Sequence, residues 1–257
     1  MTAHSRLSVN SICSIRQPFA DDLALWAELG IRDVGLISPK LQAAGWESGR
    51  DAVVEAGLRV SSMSAFRDEI VDGLLPFLVA VGCDVLYTVS GSFGVVPWST
   101  SAEMFCKAMG PIIASAKDLG VRLAVEPTNP LRSDVSFVFS VRDAMDLARM
   151  AGIGVVVDFY SSWYERGLDE LVRANIDLVT LVQIGDYKKG TFDVPNRCAI
   201  GDGDVPVERL LGMLLEAGYE GQFDLEILGP TIEAEGYRAP IVRSVERASQ
   251  ILSRLGV

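Results

Sequence analysis

Three carboxylates and one amide stand at or near the ends of short apolar runs from residue 126 onward. Glu126 closes VRLAVE, Asp158 closes IGVVVD, Gln183 lies in TLVQI and Glu226 in FDLEI. Carboxylates gathered at one place repel, and their pKa values rise unless a cation compensates. One divalent metal ion removes that conflict. Ligation by carboxylate and amide oxygens suits Mn²⁺ or Mg²⁺, with Co²⁺ as a further candidate, better than Zn²⁺. Gln183 carries its own argument. An amide buried among Leu181, Val182 and Ile184 needs partners at both ends, and leaving them unpaired costs about 1–3 kcal/mol. Its carbonyl oxygen is therefore read as a fourth metal ligand beside Glu126, Asp158 and Glu226.

Strand register is what would bring the four together. Side chains alternate across a strand, so Leu123 and Val125 share one face and leave Glu126 on the other. The same alternation sets Asp158 against Val155 and Val157, Gln183 against Val182 and Ile184, and Glu226 against Leu225 and Ile227. The strands themselves belong to a repeating pattern, in which a helix closes on Gly or Asn and a short apolar strand follows. It recurs as LGIRDVGLI, AGLRVSSM, VGCDVLYTV, LGVRLAVEP, AGIGVVVDF, ANIDLVTLVQI and AGYEGQFDLEI, after an opening LSVNSICSI. Gly30, Gly57, Gly82, Gly120, Gly152, Asn175 and Gly218 fall where a helix ends through a left-handed residue. Thr100 with Glu103, and Ser140 with Asp143, read as helix starts. Eight such units predict a parallel sheet closed into a (β/α)8 TIM barrel, one domain over residues 1–257, with a doubly wound open sheet as the alternative. In a closed barrel the four polar residues, on the fifth to eighth strands, meet at the C-terminal mouth where active sites form.

Composition removes several function classes. The 257 residues are 49% hydrophobic and carry a net charge of −11, with a pI near 4.6, so nucleic acid is not an expected partner. No apolar run is long enough to span a membrane. MTAHSRLSVN offers neither an apolar leader nor a cleavage site, and a cytoplasmic location is expected. The four cysteines have no metal-site or disulfide-framework spacing. There is one histidine, His4, placed in an N-terminus expected to fray, so proton transfer falls to carboxylates or lysine.

The pieces LAVEPTNP, GVVVDFYSSW, LVQIGD and GDGDVPVERLLGMLLEAGYEGQFDLEI resemble the sugar phosphate isomerase/epimerase superfamily, the xylose isomerase-like barrels. The resemblance implies that Glu126, Asp158, Gln183 and Glu226 bind a divalent metal, with glutamine where histidine is commoner. It also implies proton abstraction beside a carbonyl, with Glu126 and Glu226 as acid and base. The substrate expected is a small sugar or polyhydroxy ketone or aldehyde. Ser161 departs from the resemblance, since many relatives place a substrate-contacting histidine there. Arg197 matches a position where relatives often contact substrate; the alternative is a surface pair with Asp202 or Asp204. Asp202 and Asp204 would repel a phosphate, and Asp204 is read as capping the following helix, so an unphosphorylated substrate is expected.

Trp163 and Trp98 are candidate aromatic walls for a sugar face, with Trp46 and Phe66 as weaker ones. Lys188 is a candidate substrate contact, against the reading of a solvated turn. Two further function classes stay open. One is a lyase of the inosose or dehydroshikimate dehydratase kind. The other is a non-catalytic sugar-binding or partner subunit. A homodimer is expected from the resemblance alone.

Overall fold

The structure, a computed structural model, describes residues 3–70 and 74–257. Its strands are β1 (Leu7–Asn10), β2 (Asp33–Ile37), β3 (Arg59–Ser64), β4 (Val85–Val89), β5 (Arg122–Glu126), β6 (Gly154–Asp158), β7 (Val179–Ile184) and β8 (Phe223–Leu225). All pair in parallel with their sequence neighbours, and β8 returns to β1, closing the barrel. The open-sheet alternative is thereby excluded.

Alternation along each strand divides the apolar residues into two sets. Leu123, Val125, Val155, Val157, Val182, Ile184, Phe223 and Leu225 pack outward into the layer beneath the helices. Val85, Tyr87, Ala124, Val156 and Leu181 fill the barrel interior as a separate cluster. Glu126, Asp158 and Gln183 each lie two residues beyond Ala124, Val156 and Leu181, so they share the inward face above that plug. Register makes neighbours of the next two pairs: Asp158 lies beside Gln183, and Gln183 beside Asp224.

The expected punctuation mostly appears. Gly30, Gly57, Gly82, Gly120, Gly152 and Gly218 all have φ between 61° and 93°. Asn175 does not: its φ is −142°, and its side chain instead donates 2.7 Å to the Leu171 carbonyl. Ser140 caps the helix Val141–Ala151 through the Asp143 N–H. Thr100 caps nothing, because its helix, Trp98–Asp118, starts two residues earlier behind Pro97. His4 is not frayed; its backbone N–H donates to Ser249 and its ring pairs with the Val257 carbonyl. Preceding β1, it lies at the barrel end opposite the strand C-termini. Among the described residues no helix is long and apolar enough to cross a membrane.

Candidate active site

Glu126 and Asp158 are the last residues of β5 and β6, Gln183 is next to last in β7, and Glu226 directly follows β8. Asp158, Gln183 and Glu226 are buried, while Glu126 is half-buried and lines the cavity above them. A fifth group joins them. Arg197, in the loop after β7, is buried and turned inward rather than toward the surface. Its Nη1 and Nη2 donate to both oxygens of Asp158, at 2.9 and 3.1 Å. Nη2 also lies 2.8 Å from Glu226 Oε1, and Nη1 donates 3.1 Å to the Glu226 carbonyl. The guanidinium sits 4.6 Å from the centre of the Tyr160 ring, in cation–π contact. Room for this side chain comes from Gly185, where a Cβ would lie 2.7 Å from the Glu226 carbonyl oxygen and 3.3 Å from Arg197 Nη1. The surface pairing with Asp202 or Asp204 is thus corrected: Asp202 is held by Arg243 and Arg247, and Asp204 accepts the Lys189 N–H.

One guanidinium does not neutralise three carboxylates. Burial raises the Glu126 pKa well above the usual carboxylate range, and the charges of Glu226 and Asp158 raise it further. Glu226 is pushed up to about 7 by burial, against the opposing pull of Arg197. The Gln183 amide donates from Nε2 to Glu226 Oε2, but its Oε1 is buried with no partner. That orphaned carbonyl, beside excess negative charge, is the donor a hard divalent cation takes. The donor chemistry therefore fits a metal. The side-chain arrangement is one in which Arg197 engages the carboxylates: among the described residues, no three histidine, cysteine or carboxylate side chains converge at metal-holding distances.

The cavity over this cluster has a volume of about 370 Å³. Glu126, Asp158, Arg197 and Glu226 line its charged side, with Thr128, Tyr160 and Ser161 above them. Trp98, Trp163 and Lys188 are not among its lining residues. Trp98 packs edge-on against Phe137, Trp163 lies under the Lys189 ammonium, and Lys188 is exposed. Of the weaker aromatic candidates, Phe66 lines the cavity, while Trp46 packs on Phe77. Sequence reasoning missed Tyr160 and Tyr87. Tyr87 has the same inward parity on β4 as Glu126 has on β5. Burial and the nearby Glu226, Glu126 and Asp224 charges raise its pKa well above 10, which keeps the phenol protonated. Asp224 lies beneath, accepting hydrogen bonds from Ser8 and Asn10 at 2.6 and 2.7 Å.

The sequence profile of the family described as "Xylose isomerase-like TIM barrel" matches residues 23–247. The chain belongs to this family. No curated protein matches the chain. Among solved structures, a protein from Sinorhizobium meliloti 1021 is 22% identical, with a TM-score of 0.85 over 96% of this chain and 98% of its own. An IolI protein with a bound zinc atom is 14% identical, with a TM-score of 0.82 over 97% and 99%. An L-ribulose 3-epimerase is also 14% identical, with a TM-score of 0.78 over 99% and 96%. At these identities the likeness is one of fold.

In this xylose isomerase-like barrel the loop after β7, one of the two where barrels commonly hold phosphate, is filled from within. The N–H groups of Gly201, Gly203 and Val205 all point at the Asp186 carboxylate, at 2.8, 3.1 and 3.0 Å. A Cβ on Gly203 would lie 2.2 Å from Asp186 Oδ1. The chain's own carboxylate fills its anion nest. Asp204 does not cap the helix Val207–Glu216, which has no side-chain cap.

Proposed function

We propose that this protein is a divalent-metal-dependent isomerase or epimerase of a small, unphosphorylated hydroxy-carbonyl compound. The observation that supports the reading is the placement of Glu126, Asp158, Gln183 and Glu226 at the C-terminal ends of four consecutive strands, with the buried Gln183 Oε1 left without a partner. These four would hold the metal. When bound, it supplies Lewis-acid stabilisation to negative charge developing on the substrate's carbonyl and neighbouring hydroxyl oxygens.

The chain's residues divide the remaining work. Glu126 faces the cavity from the end of β5, where its carboxylate can take the proton beside the carbonyl. Arg197 orients Glu226 and Asp158 and brings a positive charge to the same wall. For inversion Glu226, approaching from β8, starts protonated and gives its proton to the opposite face of the same carbon, while Glu126 keeps the one it took. For isomerisation a proton is delivered to the former carbonyl carbon while the neighbouring hydroxyl proton passes to the former carbonyl oxygen. Asp186 in the anion nest supports the unphosphorylated substrate. The epimerase name of one fold neighbour agrees with this reading.

The test has two arms. Chelator-treated protein is melted with and without Mn²⁺, Co²⁺, Mg²⁺ or Zn²⁺, in wild type and Glu226→Gln. A cation at 100 times its Kd adds about 2.7 kcal/mol, a shift of several degrees, and Glu226→Gln is expected to lose it. Wash-in of solvent deuterium beside the carbonyl of α-hydroxy ketones is then followed by NMR. A conjugated ketone appearing instead would make the enzyme a lyase. No shift with any cation would overturn the reading.

A further inference from the structure

The wall facing the carboxylates has a different chemistry. It is built by Ile12 and Ile15 after β1, Ile37 at the end of β2, Phe66 after β3, Val89 at the end of β4, and Leu228 after β8. Ile15 and Phe66 keep 40% and 52% of their surface exposed. They are held at the cavity rather than packed into the layer beneath the helices. The Phe66 backbone N–H donates 2.8 Å to Glu69, which also accepts the Ser38 hydroxyl.

The polar groups around this wall are largely engaged already. Ser38 is bound to Glu69, and Asn129 Oδ1 accepts the Leu131 N–H. Arg132 is paired with Asp134 at 3.0 and 3.1 Å. Ser161 Oγ donates to the Pro127 and Asp158 carbonyls. Among the described residues, the cavity-lining side chains with a buried polar atom lacking a partner are Arg197 (Nε) and Thr128 (Oγ1), and Gln183 Oε1 lies close by, beside Glu226, all on the β5–β8 side. On the far side the cavity offers only two side-chain hydroxyls, Ser38, whose proton is committed to Glu69, and Ser64 at the end of β3, so a polyol lying across it would bury more hydroxyls than that side can pair, which costs affinity for each one left over.

We infer that the substrate is a hydroxy-carbonyl compound whose non-reacting part is a hydrocarbon chain or ring rather than a polyol. Its carbonyl end meets Glu126, Arg197 and Glu226, and its body lies along Ile12, Ile15, Ile37, Phe66 and Val89. A volume of about 370 Å³ lies within the range of small-molecule sites. This inference rests on the proposed carbonyl chemistry for the substrate's reacting end and adds the nature of its other end.

The test uses a homologous series of 1-hydroxy-2-alkanones, from hydroxyacetone to hydroxyoctanone, against dihydroxyacetone and D-fructose. Binding is read by titration calorimetry and thermal shift, with and without Mn²⁺. Each buried methylene is expected to tighten binding about fourfold, while the polyols bind weakly. Ile15→Ser with Phe66→Ser should weaken the longest member about tenfold, flatten the series and leave any Mn²⁺-induced shift intact. Both residues are already exposed, so the fold is expected to persist. A series without chain-length dependence, tighter binding of the polyols, or no binding by any alkanone would overturn the inference. The two readings fail separately. Chain-length dependence without a metal shift removes the metal and keeps the apolar body; a metal shift with a flat series does the reverse.

Discussion

Strands β5 to β8 lead into Glu126, Asp158, Gln183 and Glu226, whereas the ends of β1 to β4 and the segments after them present Ile12, Ile15, Ile37, Phe66 and Val89 to the cavity above those groups. Each half also contains a buried cation, placed oppositely. In the charged half Arg197 stands among the cavity-lining carboxylates. In the apolar half Lys40 lies behind the wall, paired with Asp22 and donating to the Ser11 and Ser14 carbonyls at 3.3 and 3.0 Å. That second ion pair pins the turn Ser11–Ser14, which carries Ile12 into the cavity and leads to Ile15. The two buried cations do different work. Lys40 and Asp22 neutralise each other and shape a surface. Arg197 leaves its carboxylates with excess charge, which is unfavourable in a structure with no use for a further cation.

The largest expected effects come from removing these cations one at a time. Arg197→Met and Lys40→Met each strand buried carboxylate charge, and each should cost about 3–5 kcal/mol, roughly a 10 °C fall in Tm. Mn²⁺ separates them. It should restore a large part of the loss in Arg197→Met, because a divalent ion can neutralise the same carboxylates, and none beyond the wild-type increment in Lys40→Met. Melting curves of both variants with and without Mn²⁺ decide this. Equal rescue of the two, or rescue of neither, would erase the distinction between the halves.

The next effect is a pH dependence. Burial pushes the Asp224 carboxyl up to about 6, against hydrogen bonds from Ser8, Asn10 and Ser62 that pull it down. Because the folded pKa lies above the unfolded one, near 3.9, the folded state binds this proton more tightly. Its contribution to stability is fully present below about pH 4 and is lost as pH rises through 6. The loss is about 3 kcal/mol. Asp22, behind the apolar wall, is likewise pushed up to about 6 by burial, despite Lys40. Denaturant titrations of metal-free protein from pH 4 to 7 should therefore show stability falling, and Asp224→Asn should remove about 2 kcal/mol of that fall. An unchanged slope in the variant would mean that Asp224 does not titrate in this range.

These contrasts were unevenly legible in the sequence. The charged half was readable because alternation in short strands is a strong constraint: once Val125 faces the helices, Glu126 cannot. The closed barrel followed from eight repeats of helix, glycine and strand. Arg197 was located but not its orientation, since it sits on a loop where no periodicity fixes direction. The signal that it turns inward was Gly185, whose missing side chain leaves space for the guanidinium. Tyr87 obeys the same alternation but was passed over because a tyrosine among apolar residues reads as core. Trp98 and Trp163 were misleading for the converse reason: a large aromatic near a mouth suggests a wall, yet both pack against neighbours outside the cavity. The apolar half was hardest. Ile12 and Phe66 look like ordinary core residues until the loops that carry them are seen to face open space.

A substitution at Gln183 changes metal-free stability least, and it isolates one atom. In Gln183→Leu the amide's donation to Glu226 Oε2 is lost, which costs about 1.5–3 kcal/mol for a bond to a charged group. The buried Oε1, which has no partner, is lost as well, and relief of its desolvation returns about 1–3 kcal/mol. The two nearly cancel, so metal-free stability should change by no more than about 1 kcal/mol. With Mn²⁺ nothing cancels: a ligand is gone, and the metal-induced rise in Tm should fall by half or more. Paired melts of wild type and variant, with and without the ion, read both quantities. A variant that loses more than about 3 kcal/mol without metal and keeps the full Mn²⁺ shift would make Gln183 a structural donor to Glu226. Such a result would leave the ion with carboxylates alone.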